Sequence, residues 1–144
     1  MIITPLFIMI HHSAVSYAVN PDQFIANNAY HRELWHFKSS LGYYLGYNYE
    51  ISKNGSVKQA RADGEPTAAC WQNGLNNGKC IHICLDGNFE IENPFCFSLC
   101  ALNDLIDSLR VKYNIPYKNI FFHKQFSKTL CPGKKMSMDF IRNY

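Results

Sequence analysis

The sequence predicts a single α/β domain, a central mixed β-sheet flanked by helices, and three observations carry that prediction. Short apolar runs alternate with segments of helical spacing. An Asn-Gly turn joins two extended stretches, and no repeat, low-complexity tract or Pro/Gly/Ser-rich linker divides the chain. At 144 residues the chain has the length of one domain, taken as residues 1–144, and can bury a core without disulfide staples.

The apolar start, Met1 to Ile10, reads as a first strand. It resembles the core of a signal peptide but lacks a basic leading region, and it is far shorter than the roughly 20 residues that span a bilayer. No membrane span is expected. The other reading, a signal cleaved after Ala18, would remove His11. Asn20-Pro21-Asp22 opens a helix with a cap residue and a proline in the first turn. Phe24, Ile25, Asn28, His31, Arg32 and Trp35 carry it at helical spacing to about Ser39. Tyr47 to Ile51 and Val57 to Ala60 form two strands around the turn Lys53-Asn54-Gly55-Ser56. The aperiodic stretch from Arg61 to Lys79 is expected to be a long surface loop lining a site. Cys80 to Leu85 is a short apolar strand stopped by Asp86-Gly87-Asn88. Asn93-Pro94 then opens the longest helical pattern, whose apolar stripe is Phe97, Leu99, Cys100, Leu102, Leu105, Ile106, Leu109 and Tyr113 and which ends before Pro116. A last strand, Ile120 to Phe122, delivers His123 into a loop closing on Cys131-Pro132-Gly133.

Composition narrows the class. The chain is 47% apolar and 17% charged, which excludes a disordered, collagen-like or coiled-coil protein. Its net charge of +3 is scattered, without the basic stripe and interleaved aromatics of a nucleic-acid groove, so no nucleic-acid partner is expected. The six cysteines are read as reduced thiols. Cys80 and Cys84 with Cys96 and Cys100 have the spacing of a four-thiolate zinc site. In an extended run, however, residues four apart lie about 13 Å from each other, whereas sulfurs on one zinc ion lie within roughly 4 Å. These four are therefore expected to be buried small hydrophobes.

Three segments place a metal-binding side chain after an apolar step: Ile8-Met9-Ile10-His11-His12-Ser13, Ile120-Phe121-Phe122-His123 and Thr129-Leu130-Cys131-Pro132-Gly133. Catalytic zinc takes three protein ligands and keeps a fourth position for water, and mixed imidazole and thiolate donors suit it. Two histidines and a cysteine match that count. By spacing alone, a histidine at a strand end is more often a hydrogen-bonded structural residue.

Five segments in one order go further: Ile10 to Ala14, Gly46 to Ile51, Asn54 to Arg61, Ile83 to Phe89, and His123 through Gly133. In that order, over almost the whole chain, they resemble the type 2 N-acetylmuramoyl-L-alanine amidase family, which includes phage lysozyme-like amidases and peptidoglycan recognition proteins. The resemblance implies zinc held by His11, His123 and Cys131, with His12 on the opposite face of the strand. It implies an active-site tyrosine at Tyr47 and a threonine, Thr129, beside the metal; Lys128 is one position off and is not included. The implied reaction is hydrolysis of the amide between the lactyl group of N-acetylmuramic acid and the L-alanine of the stem peptide. Zinc would lower the pKa of a water towards about 7, Tyr47 would stabilise the oxyanion, and Thr129 would orient water or the leaving nitrogen. No glutamate is placed as a general base by spacing.

Departures fall at Asn48, within Tyr47-Asn48-Tyr49; at His82, where the strand usually reads Ile-Gly-Ile; and at Ala68-Ala69-Cys70-Trp71 in the long loop. Asn48 is expected to point away from Tyr47, and His82 is read as an ordinary half-buried histidine. Tyr47 is otherwise one of nine tyrosines and a candidate core residue. The expected partner is peptidoglycan or a muropeptide, and the expected state a monomer that accumulates in the cytoplasm and reaches the wall, like an endolysin, by lysis or a separate export route. The alternatives are a non-catalytic peptidoglycan-binding module of the same fold and a redox or structural zinc protein using several of the cysteines.

Overall fold

The most apolar extended segment, Cys80–Leu85, forms the middle of the sheet. The computed structural model describes residues 2–143 and orders five strands β3-β2-β4-β1-β5. These are β1 (Phe7–His12), β2 (Tyr49–Ile51), β3 (Val57–Gln59), β4 (Cys80–Leu85) and β5 (Ile120–Phe122). β1 runs parallel to β4 and β5, β2 runs parallel to β4, and β3 is antiparallel to β2, which is the mixed sheet the sequence predicts. Strands covered on both faces read as continuous apolar runs, and every residue of β4 is buried.

Alternation along the strands sorts the two faces. Ile8, Ile10, Tyr49, Ile51, Ile81, Ile83 and Leu85 pack with Leu102, Ile106 and Leu109 of α2 (Cys96–Tyr113). The opposite face carries Met9 and Cys80, covered by Cys70 and Leu75 from the 61–79 segment. That segment is thus packed against the sheet, not laid over the surface as predicted.

Several boundaries differ from the prediction for identifiable reasons. Met1 lies outside the described residues; β1 begins at Phe7 and runs through both histidines, because His11 pairs with Cys84 and His12 with Leu85. α1 is confined to Phe24–Trp35. Before it, Asn20 Oδ1 accepts the Asp22 N–H in a local turn, and the Gln23 N–H donates to Asp86 Oδ2. After it, His36 adopts φ 49° and returns its N–H to Arg32 O. Its inner face is more polar than predicted, with Ile25 80% exposed. Asn28 Oδ1 accepts the N–H groups of Tyr44 and Leu45, and His31 Nδ1 accepts that of Gly46, so the helix grips the chain leading to Tyr47. α2 starts at Cys96 instead of Asn93, since Phe95 keeps an extended backbone. Cys80 and Cys84 are buried as expected, but Cys96 and Cys100 are exposed. The latter two sit four apart, on the helix face turned away from Leu102, Ile106 and Leu109, and the predicted stripe residue Phe97 is exposed too.

Two carboxyls lie under α1. Glu50 and Asp86 are buried, and Glu50 Oε2 and Asp86 Oδ1 have no hydrogen-bond partner. Glu50 also accepts from Asn27 Nδ2 at 3.0 Å. Burial first, and the neighbouring carboxylate second, push the Glu50 carboxyl far above its ordinary range. A native state that keeps this proton after the unfolded chain has released it is fully stable below the ordinary carboxylate range, and loses stability as pH rises from about 4.3 towards the raised folded value. Glu50→Gln supplies the missing donor without a titration. The expected outcome is a variant more stable than the parent by about 1–3 kcal/mol at pH 8, with the gap closing near pH 4, as read from urea unfolding at the two pH values.

Candidate metal centre

Three strand ends or loops meet on the sheet face opposite α2. His11 comes from β1, His123 follows the last residue of β5, and Cys131 closes the loop after it. One donor atom from each lies within 4.8 Å of the others, which makes this the group of potential metal ligands found among the described residues. His11 Nδ1 lies 3.7 Å from Cys131 Sγ. A tetrahedral ion with bonds of about 2.1 Å to nitrogen and 2.3 Å to sulfur requires these two atoms to be about 3.6 Å apart, so the donor set fits zinc without rearrangement of that pair. His12 points to the other face as expected, where its Nδ1 accepts the Phe89 N–H at 3.1 Å.

Backbone geometry fixes the loop bearing the thiol. The Lys124 N–H donates to Cys131 O at 2.9 Å, closing the loop between the two ligands, and the Cys131 N–H donates to Thr129 Oγ1 at 3.3 Å. The His12 N–H donates to Cys131 Sγ at 3.4 Å, so the sulfur already has one donor suited to a thiolate. Gly133 follows with φ +100°, and a Cβ there would sit 2.4 Å from the Phe89 carbonyl carbon. Only glycine allows that approach.

Burial keeps the three donors uncharged. Burial pushes the Cys131 thiol up to about 12, and the His12 N–H only partly offsets this. Burial also drives His11 well below its ordinary value and lowers His123. Neutral imidazoles around a thiol that resists ionisation are a poor ion pair but a good metal cage, since a bound cation deprotonates a coordinating thiol.

His11, Tyr47, Thr129, His123 and Cys131 are therefore brought together. The Tyr47 ring centroid lies 4.9 Å from that of His11. Tyr47, Thr129, His123 and Cys131 line an open cleft of about 530 Å³, together with His12, Ser13, Asn88 and Glu90. Burial first, and the neighbouring Cys84 thiol second, keep the Tyr47 hydroxyl protonated well above the usual tyrosine range.

His82, expected to be half-buried and incidental, has no solvent exposure, and its Nδ1 lies 2.8 Å from His11 Nε2. Asn48 is also fully buried. Its Oδ1 accepts the His82 N–H at 2.8 Å, its Nδ2 donates to Ala62 O, and its own N–H donates to His82 O. Sequence reasoning also missed Arg61, whose buried guanidinium donates to the carbonyls of Leu45, Pro66 and Phe37 and so holds the segments on either side of Tyr47. The available signal was the placing of two polar residues, Asn48 and His82, in otherwise apolar or aromatic strand contexts.

A family model described as N-acetylmuramoyl-L-alanine amidase matches residues 3–134. Among solved structures, the N-acetylmuramoyl-L-alanine amidase LysC from Clostridium intestinale is 24% identical with a TM-score of 0.76, over 94% of this chain and 81% of that one. Drosophila PGRP-LB is 23% identical with a TM-score of 0.78, over 99% of this chain and 86% of that one. The Ph2119 endolysin of a Thermus scotoductus bacteriophage is 20% identical with a TM-score of 0.76, over 96% and 84%. No curated protein sequence matches the chain. Among the described residues no helix is long and apolar enough to cross a membrane.

The close approach at Gly133 is directly testable. Gly133→Ala forces the turn away from Phe89 at a cost of about 2 kcal/mol or more. Because Cys131 moves with the turn, metal affinity should fall in the same variant. Thermal denaturation and a zinc titration check the two effects.

Proposed function

The chain belongs to the N-acetylmuramoyl-L-alanine amidase family, and from that membership we propose that it is a zinc-dependent hydrolase of peptidoglycan. It would cut the amide between the lactyl group of N-acetylmuramic acid and the L-alanine of the stem peptide. The observation that carries this reading is the convergence of His11, His123 and Cys131, with donor atoms within 4.8 Å, beside an open cleft. Zinc bound there would supply Lewis acidity and an acidified water at neutral pH.

The chain's own residues have separable roles. His11 and His123 offer neutral imidazoles, and Cys131 gives up its proton on binding the metal while retaining the His12 N–H. Tyr47 stays protonated because of burial, so it serves as a hydrogen-bond donor to the carbonyl oxygen as negative charge develops there, not as a base. Thr129 accepts the Cys131 N–H through its oxygen, which leaves its hydroxyl hydrogen to orient water or the leaving nitrogen. The complete donor set favours cleavage over binding alone. All three ligands come from one chain, in keeping with an active monomer.

Incubation of the purified chain with defined muropeptides, with and without a chelator, tests the reading by mass spectrometry. Free stem peptide and intact glycan should appear and be lost on chelation. Cys131→Ser should lose both zinc and cleavage while keeping its circular dichroism, and a variant that cleaves with zinc still bound would refute the ligand assignment. Tyr47→Phe should keep zinc and lose turnover by about 10²–10³-fold; an unchanged rate would show the hydroxyl to be idle.

A further inference from the structure

His82 lies outside the ligand trio, yet it makes the closest polar contact to His11. We propose that His82 is a positioning residue that fixes the tautomer and ring orientation of His11, so that Nδ1 of His11 is the atom presented to the metal. The inference rests on the reading of His11 as a ligand and extends it to a residue outside the donor set.

Three contacts determine where the protons sit. His82 Nε2 lies 2.8 Å from Leu75 O. A carbonyl oxygen can only accept, so Nε2 of His82 carries the hydrogen. The ring is fully buried and no carboxylate is among its hydrogen-bond partners among the described residues, so it is neutral and its Nδ1 is an acceptor. That Nδ1 lies 2.8 Å from His11 Nε2, which must then be the donor. His11 is left with its lone pair on Nδ1, the atom 3.7 Å from Cys131 Sγ. The relay runs from Nε2–H of His11 to Nδ1 of His82, and from Nε2–H of His82 to Leu75 O. The opposite tautomer of His82 would set a nitrogen lone pair against the carbonyl oxygen at one end. At the other it would either oppose two N–H groups or, by donating to His11 Nε2, force the His11 hydrogen onto Nδ1, where a metal needs a lone pair.

The relay is anchored at both ends. Leu75 is buried, and its N–H donates to Gln72 O within the 61–79 segment. Asn48 accepts the His82 N–H through its side chain, and donates its own N–H to His82 O. A metal-bound histidine usually rests its second nitrogen on a carboxylate or carbonyl directly. Here an imidazole spans the gap between His11 and a carbonyl of the 61–79 segment packed against the sheet.

Two substitutions separate positioning from bulk. His82→Leu fills much of the volume and removes the acceptor, whereas His82→Asn can place Oδ1 near the position of Nδ1. Zinc affinity is measured on the full chain by competition with a chromophoric chelator, and the imidazole tautomers of the metal-free parent by ¹⁵N–¹H correlation spectra. His82→Leu should weaken zinc binding by about 10–100-fold while His82→Asn recovers most of that loss, and His11 and His82 should both carry hydrogen on Nε2. Leucine and parent proteins that bind zinc equally would overturn the proposal, as would a His11 protonated on Nδ1. If the leucine variant does not fold, the asparagine variant and the tautomer spectra still decide it. A parent chain that binds no zinc overturns the metal reading itself and the proposal with it, which distinguishes the two failures.

Discussion

β1 lies between β4 and β5, parallel to both, and the metal centre depends on that position. Donors on one ion tolerate separations of only about 4 Å, yet His11 and Cys131 are 120 residues apart in the chain. What closes the distance is register. Ile8 and Ile10 must face the α2 core, which turns Met9 and His11 to the other face. β5 is paired with Ile8, Met9 and Ile10, so it ends level with the histidines and releases His123 there. A slip of one residue would exchange His11 for His12 and turn the ligand into the core. The apolar pattern of the strand thus selects which of two adjacent histidines can bind.

Placing polar groups on a fully covered sheet face is costly unless each finds a partner. Backbone carbonyls supply many of those partners. Arg61 is buried against carbonyls from the segments around Tyr47, and Asn48 and His82 satisfy each other and two carbonyls besides. The exceptions on this face among the described residues are Glu50 Oε2 and Asp86 Oδ1, which one retained proton can satisfy, and Asn76 Nδ2 in the covering segment. The face opposite α2 is therefore built less by apolar packing than by saturated hydrogen bonding, which holds side chains to narrower geometry than an apolar contact does.

Much of the sheet was legible in the sequence because each strand carries a short apolar or alternating run, and the Asn54-Gly55 turn marks the one antiparallel pair. The ligands were legible because they sit at the ends of those runs. The limits of α1 were not. Its inner face bears Asn28 and His31, which bind loop N–H groups, so helical spacing of apolar residues had little to report. Cys96 and Cys100 misled for a related reason: cysteine counts as apolar in any periodicity, but nothing in their spacing says which side of α2 meets the sheet. Tyr47 and Asn48 were placed in a strand that begins at Tyr49, because Asn48 pairs with β4 partly through its side chain, and a side-chain acceptor leaves no trace in a backbone pattern.

Asn48 and His82 show most clearly what position-by-position reading misses. Each alone is a modest departure in a strand context, one with a side chain expected to be uninvolved and the other a histidine of no stated purpose. The parallel register of β2 and β4 pairs Tyr49 with Ile83, and so sets residue 48 beside residue 82. Once adjacent, they act together: Asn48 holds the backbone of His82 at N–H and C=O, and from that backbone the His82 ring reaches both Leu75 O and His11 Nε2. Changing Asn48 strands the buried His82 N–H, whereas changing the His82 ring leaves the contacts of Asn48, which are to backbone, in place and strands Leu75 O and His11 Nε2 instead. The two departures therefore act in series, Asn48 fixing the backbone from which the His82 ring reaches its partners, and only the register that joins β2 to β4 makes that order legible.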